Sequence, residues 1–295
     1  MEFLVENHPK QFFQDTFDKL IGIEDQKNTL LLNLELIFNK EKIDKWLTRY
    51  HREGLWGISF LKKSAPLVIL HGEVGCGKTE LASSIATPLA ALLKTRSINV
   101  IQSPSNIRGS GLVGEISNRI TSITDKAIST AKEKNIPTIL IFDEADDIAT
   151  SRSQNQAHHE DRAGLNSLIK QVDKIGKSNV PLAVILITNR LSVLDPAIRR
   201  RASCEIQFNR PNELNIKIIF QTILKGIKYH ESDLTDILGI YREKRIPFSY
   251  SDIVTKVYKP CVVKALNNNH EILISDIKLN LKESEPTPLL ESGSL

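Results

Sequence analysis

The sequence predicts an α/β fold: a five-stranded parallel sheet flanked by helices, followed by a small all-helical domain. Short, continuous apolar runs of strand length occur in order at residues 66–71, 97–102, 138–142 and 182–188, and a fifth short strand is expected at 204–208. Unbroken apolar runs mark strands buried on both faces of a parallel sheet. Helical stretches separate them, notably 78–94 and 115–134, and alternation of this kind belongs to doubly wound sheets. After Pro211 only helical patterns follow, at 212–227, 232–244 and 249–267.

Ahead of the sheet, Leu30, Leu34, Ile37, Phe38, Ile43, Trp46 and Leu47 recur at helical spacing. They predict one long or two consecutive amphipathic helices over 25–51, with Trp46 and Tyr50 as packing residues. The change of character near 209–212 divides the chain. Residues 1–210 are expected to form the large α/β domain with an N-terminal helical segment, and 211–282 a helical lid. Residues 283–295, ESEPTPLLESGSL, have little to bury and are expected to be a disordered tail.

The composition narrows the function classes. With 39 basic against 35 acidic residues the net charge is only +4, without the electrostatic footprint of a dedicated nucleic-acid binder. The three cysteines, Cys76, Cys204 and Cys261, are far apart and in no C-x-x-C arrangement, so neither a disulfide framework nor a zinc site is indicated. The N-terminus lacks a basic region followed by an apolar one, and no apolar run approaches the ~20 residues of a membrane span. The cytoplasm is the expected location.

The chemistry begins at GEVGCGKT, residues Gly72, Glu73, Val74, Gly75, Cys76, Gly77, Lys78 and Thr79, which follows the strand PLVIL and opens a helix at Lys78 to Glu80. In a G-x-x-x-x-G-K-[ST] loop the glycines let backbone N–H groups curl around phosphates, and the helix N-terminus adds a positive dipole end. Lys78 would reach the β- and γ-phosphates of ATP, and Thr79 would offer its hydroxyl to Mg²⁺. Cys76 reads as a small filler.

The third strand, ILIFDE, delivers Asp143 and Glu144 at its C-terminal end, where ligands sit in open parallel sheets. Asp143 would hold the Mg²⁺ and its waters, and Glu144 would act as general base on the attacking water. The fourth strand ends in Thr188-Asn189-Arg190, so Asn189 can orient that water, while Arg190 reads as structural or interfacial. The letters Asp143-Glu144-Ala145-Asp146 also spell a helicase signature. Such helicases need two P-loop-type lobes, however, and here only a short helical piece follows the sheet.

Assembled in this order, the parts resemble an AAA+ ATPase from about Phe17 to the last lid helix. TFDKLIGIEDQK resembles the opening segment of the AAA domain, and the resemblance implies that Ile21, Gly22 and Ile23 line the adenine. Arg199, Arg200 and Arg201, after Leu194-Asp195-Pro196-Ala197-Ile198, resemble arginine fingers that reach a neighbouring subunit's nucleotide, with Arg200 and Arg201 the candidates. Phe248-Ser249-Tyr250-Ser251-Asp252-Ile253 resembles the start of the sensor-2 helix.

Within that superfamily, AHHEDRAGLNSLIKQVDKI, NVPLAVILITN and RRAS are similar to the pachytene-checkpoint ATPases of the thyroid-receptor-interactor type. That resemblance implies a homo-hexamer that remodels a HORMA-domain protein. In bacteria it also implies a nucleotidyltransferase partner within cyclic-oligonucleotide antiphage signalling. It places a substrate-gripping pore loop at Gly111, Leu112 and Val113, where the family's usual aromatic is missing. Ser251 and Asp252 stand where those enzymes carry a sensor-2 arginine. No separate N-terminal adaptor domain is expected. His158 and His159 read as exposed loop residues, and no H-E-x-x-H occurs to support an attached protease. The competing readings are an AAA+ nucleic-acid loader or transposition regulator, and an activase-like editor of another enzyme.

Overall fold

The computed structural model describes residues 3–58, 65–104, 114–149 and 159–289. The chain divides into two compact units. The first comprises Met1–Lys19, Asp25–His71 and Lys78–Gln207, the second Leu20–Glu24, Gly72–Gly77 and Phe208–Leu295.

The first unit holds the sheet. Its strands are β1 (Val5–His8), β2 (Leu67–Gly72), β3 (Ile98–Gln102), β4 (Thr138–Phe142), β5 (Leu182–Thr188) and β6 (Cys204–Phe208), in the order β1-β3-β4-β5-β2-β6. The pairs β3/β4, β4/β5 and β5/β2 are parallel. All residues of β4 and β5 are buried, as their continuous apolar runs require. The expectation of five strands, all parallel, is corrected by β1, a sixth strand that pairs antiparallel with the edge of β3, from Val5↔Ile101 to His8↔Ile98. VENH has no apolar run, so its hydrophobic pattern gave no strand signal.

Helices α1 (Gln11–Lys19), α2 (Glu24–Phe38) and α3 (Lys40–Tyr50) precede β2. The 25–51 stretch is thus two helices, and the Asn39 side chain caps the second by accepting from the Lys42 N–H. The helix read as 78–94 is broken at Ile85 into α4 (Lys78–Ser84) and α5 (Ala86–Leu93). Pro88 accounts for the break, because it has no N–H for the Ser84 carbonyl and its ring collides with that carbonyl. The long helices α6 (Glu115–Lys134) and α7 (His159–Lys177) pack on each other, and their Ile120, Ile123, Leu165 and Leu168 share one core with Leu140 and Phe142 of β4.

His8 anchors β1. Its ring is 1% exposed, its Nδ1 lies 2.8 Å from the Thr87 hydroxyl, and it stacks on Phe13 at 4.3 Å. Burial, with a smaller contribution from Lys10, lowers its pKa from 6.5 to about 4. A depressed histidine pKa means that folding favours the neutral ring. The associated stability is therefore full above pH 6.5 and is lost as pH falls towards 4, in total about 3 kcal/mol. Urea denaturation at pH 7 and pH 4.5 should show this loss in the wild type, and a smaller difference between the two pH values in His8→Asn.

The second unit is built on α9 (Glu213–Ile223), α10 (Glu231–Arg242), α11 (Tyr250–Asp252), α12 (Lys259–Asn267) and α13 (Ile274–Glu283), around Ile216, Phe220, Leu234, Phe248 and Ile253. The four-residue helix α8 (Pro196–Arg199) belongs to the first unit. Between α11 and α12 the chain makes a π-helical stretch, Ile253–Tyr258. Pro260 lies just beyond it, and a widened turn relieves the collision of its ring with the Lys256 carbonyl. The expected disordered tail is corrected for residues 284–289. The Lys244 ammonium donates to the Lys282 and Ser284 carbonyls, and Thr287 hydrogen-bonds Asp252. Residues 290–295 lie outside the described residues.

Candidate active site

The loop after β2 lies in the second unit up to Gly77. Gly72 has φ +120°, and a Cβ there would fall 2.1 Å from the Phe208 carbonyl oxygen. The same oxygen accepts the Glu73 N–H at 2.9 Å, so only glycine lets the Phe208 backbone pass this close. At Gly75, φ is +71° and a Cβ would meet Ser249 Oγ and Ser251 Cβ at 2.8 Å, while its carbonyl accepts the Ser251 N–H at 3.1 Å. The loop is therefore held open by glycines, with Val74 43% exposed at its tip and Cys76 buried. A backbone cradle without side chains is what phosphate binding requires.

Beside it a small cleft is lined by Ile21, Gly22, Ile23, Cys76, Gly77, Asn209, Pro211 and Tyr250. The structure thus brings the predicted Ile21–Ile23 segment and the loop glycines together, and the Asn215 side-chain amide fixes Gly22 by donating to its carbonyl at 2.9 Å. Tyr250, Asn209 and Asn215 were not read as site residues. Tyr250 stood in a motif noticed only as a helix start, and an asparagine near a helix N-cap signals a turn first.

The acidic residues Asp143 and Glu144 lie in the first unit. Lys78 opens α4 and is 6% exposed. The next residue, Thr79, donates from its hydroxyl to Asp143 Oδ2 at 2.9 Å, while Asp143 Oδ1 accepts the Glu144 N–H at 2.8 Å. This hydroxyl–carboxylate pair at the mouth of a parallel sheet is the oxygen-donor chemistry that suits Mg²⁺ completed by waters and phosphate oxygens. Glu80 is exposed and its carbonyl accepts from Ser84.

Glu144 sits in the left-handed region, φ +53° and ψ +46°, with its side chain exposed. A non-glycine residue held there costs on the order of 1–3 kcal/mol, and such residues gather at functional sites. Phe142 pairs with Leu186, so the end of β5 lies beside Asp143 and Glu144. The Thr188 hydroxyl donates to Asp146 Oδ1 at 3.0 Å and accepts the Arg190 N–H at 3.0 Å. It thereby ties the half-buried Asn189 to the turn that carries Glu144. Asp146, seen in the sequence only as part of a helicase-like string, is a further residue that sequence reasoning missed. Asp146→Asn should lower kcat roughly 10- to 100-fold through misplacement while leaving KM for ATP unchanged, which steady-state kinetics will show.

The three arginines separate. Arg199 is bidentate on Glu205 at 3.0 and 3.1 Å, and Arg201 is bidentate on Asp173 at 2.7 and 3.0 Å. Arg200 is exposed and, among the described residues, forms no ion pair. Gly111, Leu112, Val113 and His158 lie outside the described residues, as does the side chain of His159.

A larger apolar cavity of about 400 Å³, lined by Leu36, Ile43, Trp46, Ile58 and Pro66 among others, includes Leu182 at the start of β5. It holds none of the predicted nucleotide-site residues. Ligands of open α/β sheets bind at the carboxyl ends of strands, which favours the loop and acidic turn.

Residues 68–212 match the model of the ATPase family associated with various cellular activities (AAA). Over 284 residues the chain is 34% identical to CD-NTase-associated protein 6 of Escherichia coli, covering 96% of this chain and 95% of that protein. The chain belongs to the AAA ATPases, in the CD-NTase-associated protein 6 family. A chain in the solved E. coli MS115-1 HORMA:CdnC:Trip13 complex superposes on this AAA ATPase with a TM-score of 0.90 at 30% identity, covering 97% and 96% of the two chains. Rhizobiales Trip13 superposes with a TM-score of 0.76 at 25% identity, covering 97% and 98%. Family membership implies ATP binding. Among its described residues, no helix of this AAA ATPase is long and apolar enough to cross a membrane.

Proposed function

We propose that this AAA ATPase hydrolyses ATP with Mg²⁺ in a homo-hexameric ring. The cycle drives disassembly of a HORMA-domain protein from a nucleotidyltransferase in antiphage signalling. One observation carries the catalytic part: Thr79 and Asp143 meet at 2.9 Å next to a left-handed Glu144. The full-length likeness to a chain from a HORMA:CdnC:Trip13 complex supports the choice of client.

In this reading the N–H groups of the Gly72–Gly77 loop and the Lys78 ammonium bind the β- and γ-phosphates. Thr79 and Asp143 hold the Mg²⁺, which when bound neutralises phosphate charge. Glu144 accepts the proton of the attacking water, and Asn189 orients that water towards the γ-phosphate. The cleft with Ile21, Gly22 and Ile23 takes the adenine. Arg200 extends from the surface to the nucleotide of an adjacent subunit.

The client is tested by affinity capture with Glu144→Gln protein and ATP from extracts of the native host. A HORMA-domain protein with its nucleotidyltransferase is the expected catch, and release on adding wild-type enzyme with ATP would follow. If instead DNA or RNA stimulates hydrolysis and no such complex is retained, the loader reading replaces this one.

A further inference from the structure

The tightest polar knot of the second unit is centred on Arg210, a residue that none of the motifs contains. Its side chain is 4% exposed. Nε donates to Glu73 Oε2 at 3.0 Å, Nη1 to the Pro247 and Thr287 carbonyls at 2.7 Å each, and Nη2 to the Pro288 carbonyl at 2.9 Å. One guanidinium thus joins the second residue of the phosphate loop, the turn before α11 and the last described stretch of the chain.

Asp252 makes a second such link. Its carboxylate accepts from the Ser249 N–H and hydroxyl and from the Thr287 N–H and hydroxyl, and it pairs with Lys256 at 2.9 Å. Burial pulls this carboxyl towards the neutral form, but the bonds from Thr287, Lys256 and Ser249 outweigh it and hold the pKa well below the usual carboxylate range. Ser249 and Ser251 in turn abut Gly75. Lys256 also donates to the Glu285 carbonyl and the Thr287 hydroxyl, and the Ser284 hydroxyl takes the Lys256 carbonyl that Pro260 cannot use.

From these contacts we propose that residues 284–288 form a C-terminal strap that positions the nucleotide loop, with Arg210 acting on Glu73 and Asp252 acting on Gly75 through the Ser249 turn. Arg210 is a positioning residue that touches no phosphate. The planar fork suits this task, since it satisfies a carboxylate and three carbonyls in one fixed geometry and a lysine cannot. Because coupling between two sites is reciprocal, a strap that steadies the loop must itself be steadied when nucleotide fills the loop. The proposal rests on the nucleotide reading of Gly72–Gly77 given above.

Amide hydrogen exchange of the full-length protein, with and without a non-hydrolysable ATP analogue, tests it. The analogue is expected to slow exchange in the peptide covering 284–289 as well as in the peptide covering 72–79. Arg210→Lys and Thr287→Val should each uncouple the two segments and raise KM for ATP roughly tenfold, with kcat within about twofold of wild type. Combining Glu73→Gln with Arg210→Lys should add little to either change alone, because both break one link. If the 72–79 peptide is protected while 284–289 is unmoved, or if the variants lower kcat and leave KM alone, the strap has no positioning role. If neither peptide responds, the nucleotide reading itself falls and the strap with it.

Discussion

Glu144→Gln is expected to abolish turnover, lowering kcat by roughly 10²- to 10⁴-fold, the usual contribution of a positioned general base, while ATP affinity is retained. The amide has nearly the shape of the carboxylate and keeps the backbone N–H that Asp143 accepts at 2.8 Å, so the geometry of the turn survives and only proton acceptance is lost. Single-turnover hydrolysis and equilibrium nucleotide binding, measured on the same preparation, separate the two. Undiminished hydrolysis would remove Glu144 from the mechanism. A companion substitution examines the strained backbone. Glycine in the middle of a helix or strand costs about 0.5–1 kcal/mol, but Glu144 lies at φ +53°, where glycine is unstrained. Glu144→Gly should therefore be inactive yet unfold at no lower a temperature than the wild type. A drop of several degrees in Tm would mean that the left-handed turn stores no strain.

The parts of the fold that the sequence disclosed are those whose burial is complete. The bounds of β4 and β5 coincide with the apolar runs 138–142 and 182–188, because a strand covered on both faces has little room for a polar residue until it ends. The candidate site was legible for a related reason. Phosphate and cation chemistry needs glycines, a lysine and acids at fixed offsets from strand ends, so Gly72 to Thr79, Asp143 and Glu144 could be placed without any three-dimensional information. What stayed hidden depends on contacts between residues remote in sequence. β1 is three-quarters polar in its letters, and only pairing with β3 makes it a strand. The stretch after Glu283 has the composition of a disordered tail, yet its backbone carbonyls satisfy a buried arginine 77 and 78 residues away. The division of labour among Arg199, Arg200 and Arg201 was equally invisible, since it depends on Glu205 and Asp173 standing opposite two of them.

That division makes a sharp expectation for the proposed ring. Arg199 and Arg201 are each held by a carboxylate of their own unit, so reaching a neighbour would require them to break a bidentate pair. Arg200 has no such tie among the described residues. Arg200→Ala alone should leave ATP binding intact and reduce kcat by about 10³-fold or more, the scale of a lost arginine finger. Arg201→Ala should instead cost stability, by under about 1 kcal/mol for so exposed a pair, and only modestly affect rate. The decisive measurement mixes two inactive proteins. An Arg200→Ala subunit keeps its own Glu144, and a Glu144→Gln subunit keeps its Arg200. A head-to-tail ring assembled from equal amounts should regain roughly one quarter of wild-type activity, the fraction of interfaces that pair an intact base with an intact arginine. If Arg200 worked only within its own subunit, no arrangement of these two variants could restore a site, and the mixture would stay as inactive as its components.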